Sequence, residues 1–361
     1  RDMVRQGFWM ALAITVPFWV LLWNAEPILL AIGQEPDLAR EASHYMRGLQ
    51  WAMLPMLLYL VLRSFVVALE RPAWSLVIGV IGLLVNALAV WALVFGELGL
   101  PRLGILGAGI GSTISALTMF GGMALVCVLH PRFRRYRIFG HFWRFDFAKF
   151  RSLVALGLPI GVAVALEATV FNAAVFVMGL IGAEAVAAHA IAIQFAAVCF
   201  MVPLGFSQAA TVRVGYAFGA RDRAAITRAG WTPFVLGTAF MCCTALMIFS
   251  IPDLLAGIFL DRHDPANAQV MALAVSFLGI AALFQVFDGA QVMAAGMLRG
   301  LHDARVPMIY AAVGYWCIGL GIGLSLAFGF GFAGIGIWIG LLSGLAATSV
   351  MLVGRWMRRD R

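Results

Sequence analysis

Charge is scarce in this chain. Only 12% of its 361 residues are Asp, Glu, Lys or Arg, against about 25% in an ordinary soluble domain. So few charges cannot cover a water-facing surface of this length, which excludes a soluble enzyme, a disordered tail and a coiled coil. Lysine is nearly missing, with Lys149 the sole one. The net charge of +8 and pI of about 9.8 are therefore arginine's doing. These arginines cluster between apolar runs and do not line one helix face, so nucleic acid is not an expected partner. Cysteine is sparse and odd in number: Cys127, Cys199, Cys242, Cys243 and Cys317. None is spaced with His as a metal site would be, and all read as small buried apolar residues. Nucleotide and catalytic motifs are missing too: no GxxxxGK[ST], no dinucleotide glycines after a strand, no GxSxG, HExxH or paired CxxC. A pump driven by ATP within this chain is not expected, nor is an enzyme or a bound cofactor.

What is abundant is apolar: 63% of residues are hydrophobic and the mean hydropathy is +0.96. Runs long enough to cross a bilayer lie near 7–25, 49–69, 74–95, 105–129, 152–181, 185–212, 229–251, 268–297, 306–330 and 332–354. Lipid leaves no open-ended backbone option but the helix, so the expected fold is all-α and polytopic, with ten transmembrane helices. Pro17, Pro55, Pro159, Pro203 and Pro233 fall inside runs and read as kinks, not breaks.

Assigning alternate loops to opposite sides splits the basic residues 21 to 4. Only Arg40, Arg47, Arg102 and Arg262 fall on the poorer side. The richer side carries both termini and 131–151, the longest basic run, which places them in the cytoplasm. The expected domains are 1–130 (four helices), a basic cytoplasmic linker at 131–151, and 152–361 (six helices).

An internal repeat runs through these spans. Leu62-Arg63, Pro72 and Gly107-x-Gly109 are echoed by Leu298-Arg299, Pro307 and Gly334-x-Gly336. Glu26-Pro27-Ile28-Leu29-Leu30-Ala31 resembles Ile251-Pro252-Asp253-Leu254-Leu255-Ala256. Spans one to four thus match spans seven to ten, with the same direction across the membrane. Spans 152–181 and 185–212 have no counterpart. The expected parent is a six-plus-six protein whose first two spans precede Arg1.

Two acidic residues lie mid-span, Glu167 and Asp288. A charge at the bilayer centre costs roughly 2.5–3.5 kcal/mol on the insertion scale. No Arg or Lys is expected at matching depth to neutralise them. Desolvation penalises the charged form, so such carboxyls suit binding a proton or a cation. Gln285 and Gln291 flank Asp288 at spacings of three, within a sector of about 120° together with Phe284. Phe171 lies one turn beyond Glu167; Asn172 points about 140° from Glu167. Asn86 and Gln194 are strong polar groups within spans, either cavity-lining or tied by interhelical hydrogen bonds. His189 reads as a hydrogen-bonded packing histidine. Phe171, Phe284, Phe287 and Met293 either pack the core or form an adaptable apolar wall, and an aromatic face beside a carboxylate suits a lipophilic cation.

Several segments carry a family resemblance: GLPIGVAVALEATVFNAAVF, AVAAHAIAIQF, VPLGFSQAATVRVGYAFGA, FQVFDGAQVMAAGMLRG, and RSFVVALERPAW with GVIGLLVNALAVW. The chain resembles the multidrug and toxic compound extrusion transporters, in their bacterial drug-exporter branch. The resemblance implies twelve spans in two six-helix lobes, matched here from the third. It implies a monomeric secondary antiporter of the bacterial inner membrane, exporting lipophilic, often cationic drugs in exchange for Na+ or H+. Glu167 and Asp288 fall on the branch's cation-site carboxylates, the Na+ ligands of a sodium-coupled member. Asn86 matches a polar position of the first lobe, and Phe284 stands where close relatives often carry Tyr. Two other readings remain: a lipid-linked sugar flippase, which wants arginines in its cavity, and a non-transporting structural subunit.

Overall fold

Ten helices among the described residues are long and apolar enough to cross a membrane. They are seen in a computed structural model that describes residues 2–69, 71–140, 145–262 and 264–359. Arg1, Arg144 and Arg361, counted above for orientation, lie outside the described residues. The chain divides into two compact units, Arg1–Val154 and Ala155–Arg361.

In the first unit α1 (Asp2–Trp23) leads through short α2 (Ala25–Ala31) into α3 (Pro36–Leu49). A 3₁₀ turn joins α3 to α4 (Met53–Ala68), so one long span replaces the 49–69 run. Helices α5 (Ala73–Phe95) and α6 (Ile105–Leu129) complete the set. Helix α5 ends at Gly96, whose φ of +78° lets its N–H close onto Ala92 O. Small residues let α6 approach its neighbours. A Cβ at Gly107 or Gly109 would meet the backbone of Leu93 or Tyr45 within 2.6 Å. Ser115 Oγ donates to Gly82 O at 2.7 Å, and Thr113 Oγ1 to Gly48 O at 2.8 Å.

The basic segment after α6 does more than link. It begins with the single turn α7 (Pro131–Arg134), and Phe133 and Ile138 enter the unit's core beside Phe8, Tyr59, Leu62 and Met123. Apolar residues interleaved with the arginines drive this. Arg5 of α1 donates to Ile138 O at 3.5 Å and also to Gly140 O, fixing the segment in place. Asp146 caps the next helix, accepting from Lys149 N at 3.1 Å. That bond and the Lys149 ammonium hold the Asp146 carboxyl below its usual range.

The second unit follows the same order after two extra spans. These are α8 (Phe147–Ile181, begun in the first unit) and α9 (Ala183–Gly219). Next come α10 (Arg223–Ser250), short α11 (Pro252–Ala256) and α12 (Ala268–Gly300). The short helices α2 and α11 are the Glu26 and Ile251 segments that the repeat pairs. The ninth span is irregular: α13 (Arg305–Ala311), a π-helical stretch Ala312–Leu320, α14 (Gly321–Leu324) and a second π-helical stretch Ser325–Gly329. It packs on α15 (Ala333–Met357) through glycines. A Cβ at Gly344 would meet Gly314 O at 2.6 Å, and one at Gly340 would meet Gly319 O at 2.5 Å.

Helix α12 is the axis of this unit. Phe277, Leu278, Phe284 and Met293 are buried along it, with Met178, Met241 and Trp338 from its neighbours. Hydroxyls lock it to α9: Ser207 Oγ donates to Val292 O at 2.7 Å and Thr211 Oγ1 to Gly296 O at 2.8 Å. Such bonds between membrane helices contribute about 0.6–2 kcal/mol each.

Candidate cation site

Gln291 sits at the centre of a polar cluster in the second unit. Its Nε2 donates to Glu167 Oε1 of α8 at 3.2 Å. It lies one turn along α12 from Asp288, and the Tyr315 phenol on the first π-helical stretch is near enough to interact electrostatically with both carboxyls. Asp288 is 5% exposed and Gln291 3%. Asp288 Oδ1 has no hydrogen-bond partner among the described residues, nor has Gln285 Oε1. Gln285 Nε2 donates to Thr244 Oγ1 of α10 at 3.1 Å. The period of three on α12 thus works as the sequence suggested, pointing Gln285, Asp288 and Gln291 inward.

Arg299 corrects one expectation. Its Cα lies at the end of α12, yet its side chain turns back into the unit and not out toward water. Nε donates to Ala295 O and Nη2 to Ser207 Oγ, both at 3.2 Å. From there it interacts electrostatically with Glu167. Glu167 therefore has a basic neighbour after all. The physical reason is the tilt of helical side chains toward the N-terminus, which carries a long one about a turn inward.

Phe284 and Phe171 meet edge to face at 6.0 Å, and Phe284 meets Trp338 at 5.5 Å, giving the cluster an aromatic wall. Phe287 packs against the same core. The other candidates lie elsewhere. Met293 faces α10, where Gly237 leaves room for it. Asn172 is exposed and donates back to Ala168 O at 2.8 Å, within its own helix. Gln194 is exposed on α9. Asn86, half-buried on α5 in the first unit, makes no side-chain hydrogen bond among the described residues.

Two further readings change. His189 is buried at 1% exposure, but neither ring nitrogen has a partner among the described residues. It packs at 5.4 Å against Trp338 instead. Cys127 and Cys199 are buried as expected, whereas Cys242, Cys243 and Cys317 are exposed on their helices. In lipid an outward thiol costs little, so burial is not required.

Two carboxyls, an amide and a phenol around one orphaned carboxylate oxygen form an acceptor-rich set, suited to a hard cation or a proton. Among the described residues no three His, Cys, Asp or Glu side chains gather as a metal cluster. The sequence matches the MatE family model at residues 1–92 and 159–325, most of the chain. The chain belongs to the MatE family. It is 57% identical, over its whole length, to a probable multidrug resistance protein NorM from Mesorhizobium japonicum, covering 77% of that protein. It is 40% identical to the multidrug resistance protein NorM of Burkholderia vietnamiensis, over 97% of this chain and 75% of that one. The fold matches the crystal structure of the eukaryotic MATE transporter AtDTX14 with a TM-score of 0.85 at 21% identity, covering 99% of this chain and 78% of that chain. An outward-facing multidrug resistance MATE transporter matches at 0.86 and 17% identity, over 99% and 79%. MatE membership makes the chain a multi-pass membrane transporter of a generally ion-coupled antiporter family, not an enzyme. It displaces the structural-subunit reading.

Tyr315 and Arg299 are the two cluster residues that sequence reasoning missed. Tyr315 carried a signal, as a phenol in the middle of a span. Arg299 carried none beyond its place in the repeat.

Proposed function

We propose that Glu167, Asp288, Gln291 and Tyr315 form the coupling-cation site of a NorM-type multidrug efflux antiporter. The site takes Na+ or H+ inward as lipophilic, often cationic drugs leave through the bacterial inner membrane. The observation that carries this reading is the buried, unpartnered Oδ1 of Asp288, one helical turn from Gln291, whose amide donates to the carboxylate of Glu167. A buried acceptor without a donor costs about 1–3 kcal/mol, which a bound proton or cation relieves. Arg299 supplies positive charge near Glu167 when the cation is absent, so the site need not hold two bare carboxylates. Alternating access follows from competition between ion and drug for a protein with two states. One charge moving inward is worth about 2.3 kcal/mol per 100 mV. At 1.4 kcal/mol per tenfold that sustains a drug gradient of roughly 40-fold for one-for-one exchange of a neutral drug.

The test is ethidium efflux from cells expressing the protein, with the sodium and proton gradients collapsed separately. Loss of efflux in one arm names the ion. Glu167→Gln and Asp288→Asn are expected to abolish ion-driven efflux while leaving the protein in the membrane. Full efflux in both amide variants overturns the assignment.

A further inference from the structure

At the end of the second unit where α9, α12 and α15 finish and α10 begins, the structure holds a cavity of about 650 Å³. Its rim carries five arginines: Arg221, Arg223, Arg355, Arg358 and Arg359. They come from two separate segments of the chain, 221–223 and 355–359, and converge on one opening. Asp303 is the single acid lining it. The floor is apolar, with Ile226, Leu298 and Leu301.

Two of the guanidiniums are already engaged. Arg355 Nε donates to Asp303 Oδ2 at 2.9 Å. Arg359 lies over the Trp356 ring at 4.4 Å and donates to Thr227 Oγ1 at 2.6 Å and to Trp356 O at 3.1 Å. Arg221, Arg223 and Arg358 have no acceptor among the described residues. Helix ends explain part of this charge, since each helix C-terminus presents about half a negative charge. Three such ends, Asp303 and the capping Asp222 still leave the five guanidiniums in excess. The backbone adds a second sign. Arg221 and His302 line the cavity with φ of +58° and +61°, left-handed positions that glycine would fill without strain. The chain keeps a cation at one of them and an imidazole at the other.

A cationic rim over an apolar floor, at the end of membrane-length helices, matches an amphiphile whose head carries a phosphodiester. Arginine forks fit phosphate oxygens in pairs, and basic pockets at this depth meet the head groups of the bilayer. We propose that this cavity binds the phosphodiester head group of an anionic membrane lipid. The lipid seats its head between Arg221, Arg223 and Arg358 and lays its glycerol and first methylenes on Leu298 and Leu301. It thereby ties together the ends of α9, α10, α12 and α15 in the second unit.

The test uses the purified full chain in nonionic detergent, with its melting temperature followed as lipid is added. Phosphatidylglycerol is expected to raise it by several degrees, and phosphatidylcholine is not. The triple variant Arg221→Gln/Arg223→Gln/Arg358→Gln is expected to lose the increment. The matching Arg→Lys triple is expected to keep most of it, and so is Arg132→Gln/Arg134→Gln/Arg135→Gln in the first unit. An undiminished increment in the glutamine triple overturns the proposal. So does an equal rise from inorganic phosphate alone, which would make the ligand a free anion. If the triple fails to fold, native mass spectrometry of Arg358→Gln decides. The variant is expected to retain one phosphatidylglycerol fewer than the unmodified chain, and equal retention refutes the site.

Discussion

Arg299 Nη2 donates to Ser207 Oγ at 3.2 Å across 92 residues of sequence, and that bond holds a cation inside the second unit. Ser207 in turn donates to Val292 O of α12. Gly296 makes the arrangement possible, because a Cβ there would meet Ser207 O at 2.6 Å. Three residues on two helices thus decide where one guanidinium is held, within electrostatic reach of Glu167.

The first prediction follows from this. Arg299→Gln keeps an N–H donor on a shorter side chain and removes the charge near Glu167. We expect ion-driven efflux to fall about tenfold, the equivalent of 1.4 kcal/mol. Arg299→Lys keeps the charge and loses the fork, and is expected to fall between. Because the effect acts through Glu167, it is expected in the ion concentration for half-maximal efflux. A fall confined to protein abundance, with unchanged ion dependence, contradicts it.

Gln291 is the second target. Gln291→Leu preserves volume roughly and removes the amide that donates to Glu167 beside Asp288. Each buried polar group left unsatisfied costs about 1–3 kcal/mol. The variant is expected to melt lower in detergent and to lose ion-driven efflux. Added Na+, for a sodium-coupled protein, is expected to recover less stability than it gives the unmodified chain. Equal stabilisation of both proteins by the ion would place the binding site elsewhere.

The third concerns the seam between α15 and the π-helical span. Gly340 and Gly344 touch Gly323, Gly319 and Gly314, with no space for a side chain. Gly340→Val overpacks this seam, at a cost of about 1–3 kcal/mol. Gly321, whose Cβ would meet nothing within 4 Å, is the control. Gly321→Ala is expected to leave the elution profile and melting temperature unchanged, while Gly340→Val broadens or shifts both.

Much of this was legible in the sequence, for identifiable reasons. A bilayer demands about 20 apolar residues per span, so the spans announce themselves, and a mid-span Glu167 or Asp288 stands out against them. The period of three on α12 also survives in the structure. What composition does not carry is the direction in which a side chain satisfies itself. Asn172 bonds its own helix through Ala168, an option open to any such residue, so its polarity says nothing of a site. Arg299 sits at a helix end, where arginines ordinarily reach outward, and only Ser207 reveals the opposite. Phe133 and Ile138 hide among arginines that dominate the segment's charge, yet they are what pack. Tyr315 depends on a π-helical register, which no spacing rule for α-helices yields.

Tyr315 therefore carries the last prediction. Phe284 has no hydroxyl, and Tyr315 brings a phenol to the same cluster from another helix, near Glu167 and Asp288. Tyr315 is 2% exposed, so Tyr315→Phe leaves the packed ring in place and deletes one oxygen. One hydrogen bond is worth about 0.5–1.5 kcal/mol net, which corresponds to roughly a two- to twelvefold change in an equilibrium constant. We expect the ion concentration for half-maximal efflux to rise by that factor, with the maximal rate nearly kept. The direction follows from the chemistry: removing an oxygen weakens the bound state of the cation without touching the drug's route. Tyr315→Ala removes the ring as well and is expected to lower stability by about 3–5 kcal/mol, as for other large buried aromatics. The two variants separate ligand from packing. If Tyr315→Phe leaves ion dependence unchanged while Tyr315→Ala destabilises, then Tyr315 is a core residue and the cation is held by the carboxyls and Gln291 alone.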